Sequence, residues 1–277
     1  MRDSDLAYLS ALIGRHTAIT LEPMRPAQVT ARLVPVARRF GFRDPGALMQ
    51  DLPHGHPRLL QAVLEAMTTN DTWFFRDRAV FDHLRDHVLP TLMARRMRSG
   101  RLRIWCAGVS SGQEAYTLAM ILAEKNLVAD WTIELIATDL SPVCISRARQ
   151  GHYSNAEVQR GLGIKRLIAH FTQEAHGWRI SPALRQIPRF HTFNLLDDYD
   201  WLGEIDLILC RNVLLYFALP TKAQVLDRLA AQLAPDGYLV VGSAEQPHTI
   251  ASTFELVEGT RGLYSKTEAD LRRASVR

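Results

Sequence analysis

Cysteine is scarce in this 277-residue chain, which has only Cys106, Cys144 and Cys210. Three cysteines far apart in sequence cannot make an even disulfide framework. Each sits in or beside an apolar segment, so buried reduced thiols are expected. No run of about 18 apolar residues occurs, and so no conventional membrane-spanning helix is expected. The first ten residues, MRDSDLAYLS, carry acids and polar groups where a secretory leader needs a basic end and an apolar stretch. A cytoplasmic protein without membrane insertion is the expectation. Low-complexity tracts and fixed-period repeats are absent. So is G-x-G-x-x-G, which disfavours a nicotinamide dehydrogenase. His54 and His56 stand two apart on a Gly/Pro loop with no third ligand at metal spacing, so no metal is expected.

Charge of either sign is nearly balanced, with 33 Lys and Arg against 29 Asp and Glu, a net of +4. Its distribution says more than its total. Arg15, Arg25, Arg32, Arg38, Arg39 and Arg43 are opposed within their stretch by Glu22 alone. A second cluster, Arg95, Arg96, Arg98, Arg101 and Arg103, follows a helical segment. Both fit a binding face for an anionic partner, nucleic acid included, and both fit a solvated face or a helix end complementing its dipole.

A hydrophobic content of 47% over this length supports a full core and a second small domain. Residues 1–68 give helix signals alone: Leu6, Leu9 and Ile13, then Val29, Leu33, Val36 and Phe40, then Leu59, Leu60, Val63, Leu64 and Met67 recur at three- and four-residue spacing. A small all-α N-terminal domain follows. From about residue 101, short apolar runs (102–106, 133–138, 205–210, 238–242) alternate with helical segments near 113–125, 141–150 and 220–234. That alternation defines an α/β fold with a doubly wound, Rossmann-like parallel sheet over 69–277. Residues 155–190 interrupt it and read as a small β insertion.

In a doubly wound sheet the ligand sits beyond the carboxyl ends of the strands. The first run is followed by AGVSSGQE (107–114), a small-residue turn that lets backbone approach a ligand and also suits any tight strand-to-helix connection. The second ends at Asp139, which can accept both hydroxyls of a ribose or cap the helix that follows. The pairing of turn and acid favours an adenosine ligand. FNLL (193–196) ends a β-like segment, and LILCRNVLLYF (207–217) places Asn212 and Tyr216 at or after a strand end. Arg211 and Asn212 would be expensive to bury there without partners. Four strand ends thus converge on one pocket. In NDTWFFR (70–76), the aromatics Trp73, Phe74 and Phe75 are expected to dock the helical domain onto the sheet, leaving Asn70, Thr72 and Arg76 as the polar set.

In order and spacing, NDTWFFR, AGVSSGQEAYTLAM (107–120), ATDLS (137–141), FNLL and CRNVLLYF resemble the motifs of CheR-type chemotaxis receptor methyltransferases, over nearly the whole chain. The resemblance implies a protein-glutamate O-methyltransferase acting on the cytoplasmic domain of chemotaxis receptors, with S-adenosylmethionine as cofactor and S-adenosylhomocysteine as product. It implies cofactor contacts at Asn70, Thr72, Arg76, Glu114, Asp139, Asn194, Leu195, Asn212 and Val213; a glutamate carboxylate would further need positioning, for which Arg76 and Tyr216 are the candidates. A monomer whose helical domain recognises the receptor is expected, with the Arg15–Arg43 stretch meeting an acidic methylation region.

Gln113 stands where many members have an acid, Ala115 where many have proline, and Trp73 varies the aromatic run. A nucleic-acid methyltransferase that modifies base amino groups usually shows a [DNS]-P-P-[YFW] loop, where this chain reads RNVLLYF. A non-catalytic adaptor would have lost cofactor residues, and none is lost. In some CheR proteins the insertion docks a receptor-tail pentapeptide by adding a strand. Here FTQEAHGWRISPAL (171–184) is short, with Gly177 as its one glycine, so independence from the pentapeptide is expected.

Overall fold

The computed structural model describes residues 1–21, 24–54, 56–127 and 131–268. The chain divides into two compact units. Glu22, the acid of the arginine-rich stretch, lies outside the described residues.

The first unit comprises Met1–Thr69 with the short segment Tyr216–Lys222. Its helices are α1 (Asp3–Thr17), α2 (Pro26–Arg39), α3 (Pro45–Asp51) and α4 (Pro57–Met67). Proline opens α2, α3 and α4, where its missing N–H costs nothing. The Asp44 side chain accepts the Ala47 amide at 2.8 Å as N-cap of α3. The apolar spacing becomes a core in which Leu9, Ile13, Leu33, Leu48, Val63 and Met67 are fully buried. Arg32 turns inward and donates to the Met67 and Thr68 carbonyls at 3.1 and 3.0 Å, capping the end of α4. Arg43 pairs with Asp44, while Arg38 and Arg39 are exposed on the last turn of α2. The arginines of this stretch therefore divide between structural work and open surface. Tyr216 belongs to this unit because its carbonyl accepts the Thr20 amide at 2.8 Å and Phe217 bridges Ile19.

The second unit comprises Asn70–Leu215 and Ala223–Arg277. Its main strands are β1 (Arg101–Ala107), β2 (Thr132–Asp139), β6 (Pro188–Thr192), β7 (Ile205–Cys210), β8 (Leu233–Val241), β9 (Phe254–Leu256) and β10 (Leu263–Lys266). A smaller sheet holds β3 (His152–Tyr153), β4 (Phe171–Glu174) and β5 (Gly177–Ile180) in the order β3-β5-β4. The large sheet runs β6-β2-β1-β7-β8-β10-β9. Its first four pairings are parallel and the last two antiparallel, so β10 alone runs against the other strands and the sheet is mixed where the apolar runs indicated a parallel one. Strand β7 is buried along its whole length, as expected of a strand covered on both faces.

Register sets the site. Cys106 pairs with Ala137 on one side and Leu209 on the other, and Leu209 pairs with Val240. The carboxyl ends of β1, β2, β7 and β8 therefore lie along one edge. The strand order reverses between β1 and β7, which is where a doubly wound sheet opens a crevice.

The insertion begins earlier and ends sooner than its composition suggested. The small sheet starts at His152, and Pro188–Thr192 is a strand of the large sheet, paired in parallel with β2. Three of the five arginines of the second cluster are paired locally: Arg96 binds Asp206 at 2.7 Å and also Asp236, and Arg103 and Arg101 bind Glu134 at 2.7 and 2.9 Å. All three cysteines are buried.

Candidate functional site

The turn after β1 leads into α7 (Gln113–Glu124) through three left-handed residues, Gly108, Ser110 and Gly112. Gly108 has φ +77°, and a Cβ there would stand 2.4 Å from Val213 Cγ2, so only glycine lets the loops after β1 and β7 approach this closely. The Gly108 and Val109 amides both donate to the Thr138 carbonyl, at 2.7 and 3.0 Å.

Asp139 joins the pieces. Its Oδ2 accepts the Ser110 amide at 2.7 Å and its Oδ1 the Ser141 amide at 2.9 Å. Its carbonyl accepts the Phe193 amide at 2.9 Å. The helix that follows, α8 (Pro142–Gln150), is capped by Ser141 and not by Asp139. Burial pushes the Asp139 carboxyl above its ordinary value, and the two amides pull it back in part. A carboxylate offers about four lone-pair positions, so two amides leave room for the two hydroxyls of a ribose. A glycine cradle and a half-engaged carboxylate at the strand ends fit an adenosine.

The Asn70–Arg76 segment lies against the same turn. Ser110 Oγ donates to the Asn70 carbonyl at 3.0 Å, and the Phe75 amide donates to Thr117 Oγ1 at 3.1 Å. Phe74 is fully buried within the second unit, edge-on to Tyr153 at 5.0 Å and to Phe171 at 5.5 Å, and Phe75 meets Phe81. Trp73 stays half-buried under cations, with the Arg76 and Arg160 guanidiniums 4.4 and 3.8 Å from its ring centroid. Arg76 Nη1 also donates to the Asp71 carbonyl at 2.8 Å. Thr72 is half-buried and Asn70 exposed beside it.

Glu114, in the first turn of α7, binds Arg211 Nη1 at 2.8 Å. Arg211 Nη2 reaches Asp77 Oδ2 at 2.6 Å and the Arg76 carbonyl at 2.9 Å. These contacts partner both terminal nitrogens of the buried arginine, while its Nε is buried without a hydrogen-bond partner. Burial pushes the Glu114 carboxyl up, opposed by the charge and hydrogen bond of Arg211. Glu114 therefore holds the floor of the site, whatever it offers a ligand.

Asn212, two residues beyond β7, adopts φ +58°. Glu245 holds it there: this buried carboxylate accepts the amides of Asn212 at 2.8 Å, Leu215 at 3.2 Å and Gly242 at 2.6 Å. Sequence reasoning passed over Glu245, although an acid four residues beyond β8, after the small residues Gly242, Ser243 and Ala244, was a readable signal. In the loop after β6, Asn194 Oδ1 accepts the Leu196 amide at 3.1 Å in an Asx-type turn. The Leu195 carbonyl accepts Tyr199 Oη at 2.8 Å. Within the second unit, Asn70 is tied through Ser110 to Asp139, Arg76 and Glu114 meet through Arg211, and Val213 lies against Gly108. Asn194 and Leu195 follow Phe193, whose amide binds Asp139, Asn212 is held by Glu245, and Thr72 lies in the Asn70–Arg76 segment. Tyr216 falls in the first unit. Among the described residues, no group of three His, Cys, Asp or Glu side chains is arranged to hold a metal ion.

Comparison with known proteins gives the arrangement its family. The model of the CheR methyltransferase S-adenosylmethionine-binding domain matches residues 70–263. Chemotaxis protein methyltransferase 1 of Pseudomonas aeruginosa is 34% identical over 267 residues, covering 94% of this chain and 97% of the relative. Chemotaxis protein methyltransferase Cher2 of Pseudomonas putida is 34% identical, with 94% and 96% covered. Chemotaxis protein methyltransferase 1 of Vibrio cholerae is 34% identical, with 95% and 97% covered. With its glycine turn, its strand-end aspartate and a match extending over both units, this chain belongs to the CheR methyltransferase family and carries that family's S-adenosylmethionine-binding domain.

Proposed function

We propose that this chain transfers a methyl group from S-adenosylmethionine to glutamate side-chain carboxylates of chemotaxis receptors, giving the methyl esters used in sensory adaptation. The observation that carries the reading is Asp139, which braces the turn after β1, the start of α8 and the loop after β6 while keeping acceptor capacity. The agreement with chemotaxis methyltransferases over 94% of the chain supplies the substrate class. Asn70, Thr72, Arg76, Glu114, Asn194, Leu195, Asn212 and Val213 are the further cofactor contacts in this reading, and Arg76 and Tyr216 place the substrate.

Bound S-adenosylmethionine supplies an electrophilic methyl on a sulfonium. A glutamate carboxylate has a reference pKa of about 4.3, so at neutral pH it is already the nucleophile and the chain need not supply a general base. What the chain supplies is position and exclusion of water, worth roughly 7–11 kcal/mol when the reactants are well aligned. Arg76 suits this task. Its planar fork has five N–H donors, and the bond to the Asp71 carbonyl leaves capacity for a carboxylate. Resting on Trp73, the guanidinium orients the substrate without forming so tight an ion pair that the nucleophile is weakened.

The helical first unit recognises the receptor, using the exposed Arg38 and Arg39 against an acidic methylation region. The enzyme works in the cytoplasm, as a monomer, where the receptors present that region. Among the described residues, no helix is long and apolar enough to cross a membrane. A nucleic-acid substrate is disfavoured, since the Arg96 and Arg103 cations are spent on Asp206, Asp236 and Glu134. The test is incubation with methyl-labelled cofactor and receptor cytoplasmic fragments beside duplex DNA. Alkali-labile label on the receptor is expected, and label on DNA alone would overturn the proposal.

A further inference from the structure

Arg160 and Arg76 share their anchors. Both guanidiniums lie over the Trp73 ring. Both also bind Asp71, Arg76 through the carbonyl at 2.8 Å and Arg160 through the carboxylate, also at 2.8 Å. Two cations on one indole repel, so the arrangement needs the Asp71 carboxylate to neutralise one of them. The residue after Arg160 fixes the backbone. Gly161 has φ +89°, and a Cβ there would stand 2.0 Å from the Phe74 carbonyl oxygen, so the inserted segment is pressed against the Trp73–Phe74 backbone. Phe74 in turn is packed on Tyr153, near the start of that segment, and on Phe171 within it.

From this geometry we infer that Arg160 is a positioning residue for Arg76, and that the inserted segment serves the reaction by holding the Asp71–Arg76 strip in its working shape. An exposed ion pair or cation–π contact is weak alone. Here the Gly161 contact orders the chain beforehand, so the Arg160 side chain pays little entropy to stay in place. Arg160 covers the Trp73 ring, its carboxylate partner pins Asp71, and the Asp71 carbonyl then fixes the direction of the Arg76 fork. Without that brace the fork swings, and small misplacements of an orienting group cost rate and not binding.

The inference rests on the proposed role of Arg76, and a mutant cycle separates the two. Methyl transfer to a receptor fragment is measured for the wild type, Arg160→Ala, Arg160→Lys, Asp71→Asn, Arg76→Ala and the Arg76→Ala/Arg160→Ala pair, with S-adenosylhomocysteine affinity and thermal midpoint as controls. Arg160→Ala and Asp71→Asn should each lower kcat about tenfold, with receptor KM and midpoint unchanged and product affinity no weaker than that of Arg76→Ala. Arg160→Lys, which keeps a cation over Trp73 within reach of Asp71, should recover most of the rate. In the Arg76→Ala background, Arg160→Ala should cost nothing further. If the two losses multiply, or if Arg160→Ala raises KM and keeps kcat, Arg160 acts on its own and the inference is overturned. A wild-type rate in Arg160→Ala beside a crippled Arg76→Ala sinks this inference alone. A wild-type rate in Arg76→Ala sinks the role of Arg76 and that of Arg160 with it.

Discussion

Arg211 Nη1 lies 2.8 Å from Glu114 Oε2, tying the residue after β7 to the first turn of α7 underneath the strand ends. The arginine side chain is 1% exposed and the glutamate 11%. Removing one partner from such a pair leaves an uncompensated buried charge. Arg211→Ala should lower the unfolding free energy by about 3–5 kcal/mol in a denaturant titration. A loss under about 1 kcal/mol would show that the pair is dispensable.

Asp139→Ala should weaken S-adenosylhomocysteine binding by about 1–3 kcal/mol in calorimetry, since it strands two hydroxyls without their charged acceptor. The affinity should also depend on pH with a definite sign. Burial holds this carboxyl above the ordinary aspartate value, so acidification protonates it sooner than an exposed aspartate. Affinity should therefore fall as pH drops through a point above 3.8, the ordinary value. The stability contribution of the free enzyme runs the other way. A raised carboxyl favours the folded state below its unfolded pKa and loses that benefit as pH rises through its folded one. Unchanged affinity in a folded Asp139→Ala protein would remove Asp139 from the cofactor site.

Arg38 and Arg39 are exposed, whereas Arg32 is committed to the Met67 and Thr68 carbonyls. Charge reversal at Arg38 and Arg39 together should slow association with receptor fragments and flatten its salt dependence, with the fold intact. An unchanged association rate at low salt would place receptor recognition elsewhere.

The receptor-tail pentapeptide should not be needed. The β4–β5 hairpin turns through Ala175 and His176 alone, and a Cβ on Gly177 would stand 2.3 Å from the Tyr153 carbonyl oxygen, leaving little groove beside the strands. Strand β5 is central, so an added strand would have to pair with β4, which has four residues, or with β3, which has two. Calorimetry with the pentapeptide should show no binding at micromolar concentration. Binding that is lost on placing proline in β4 would contradict this.

Much of this architecture is legible in the residues because local chemistry writes it. The expected helix at 113–125 is Gln113–Glu124, that at 141–150 is Pro142–Gln150 behind its Ser141 cap, and the run 205–210 is β7 to the residue. The unread parts are those decided by distant residues. Arg211 announced that it needed partners, but Glu114 and Asp77 lie 97 and 134 residues away. In NDTWFFR nothing local shows that Tyr153 and Phe171 pack around Phe74. The insertion was misjudged at both ends for the same reason. His152–Tyr153 is too short to show a period, and Pro188 opens an edge strand, where proline is tolerated but reads as a breaker.

The central claim is that the acceptor is a glutamate side chain of a chemotaxis receptor. Tandem mass spectrometry of a receptor cytoplasmic fragment, after incubation with the enzyme and S-adenosylmethionine, tests it most directly. The account predicts methyl esters confined to glutamate residues of the methylation region, removed by mild alkali and absent without cofactor. An unmodified fragment in the presence of enzyme that binds S-adenosylhomocysteine, or methyl groups stable to alkali on other residues, would contradict it.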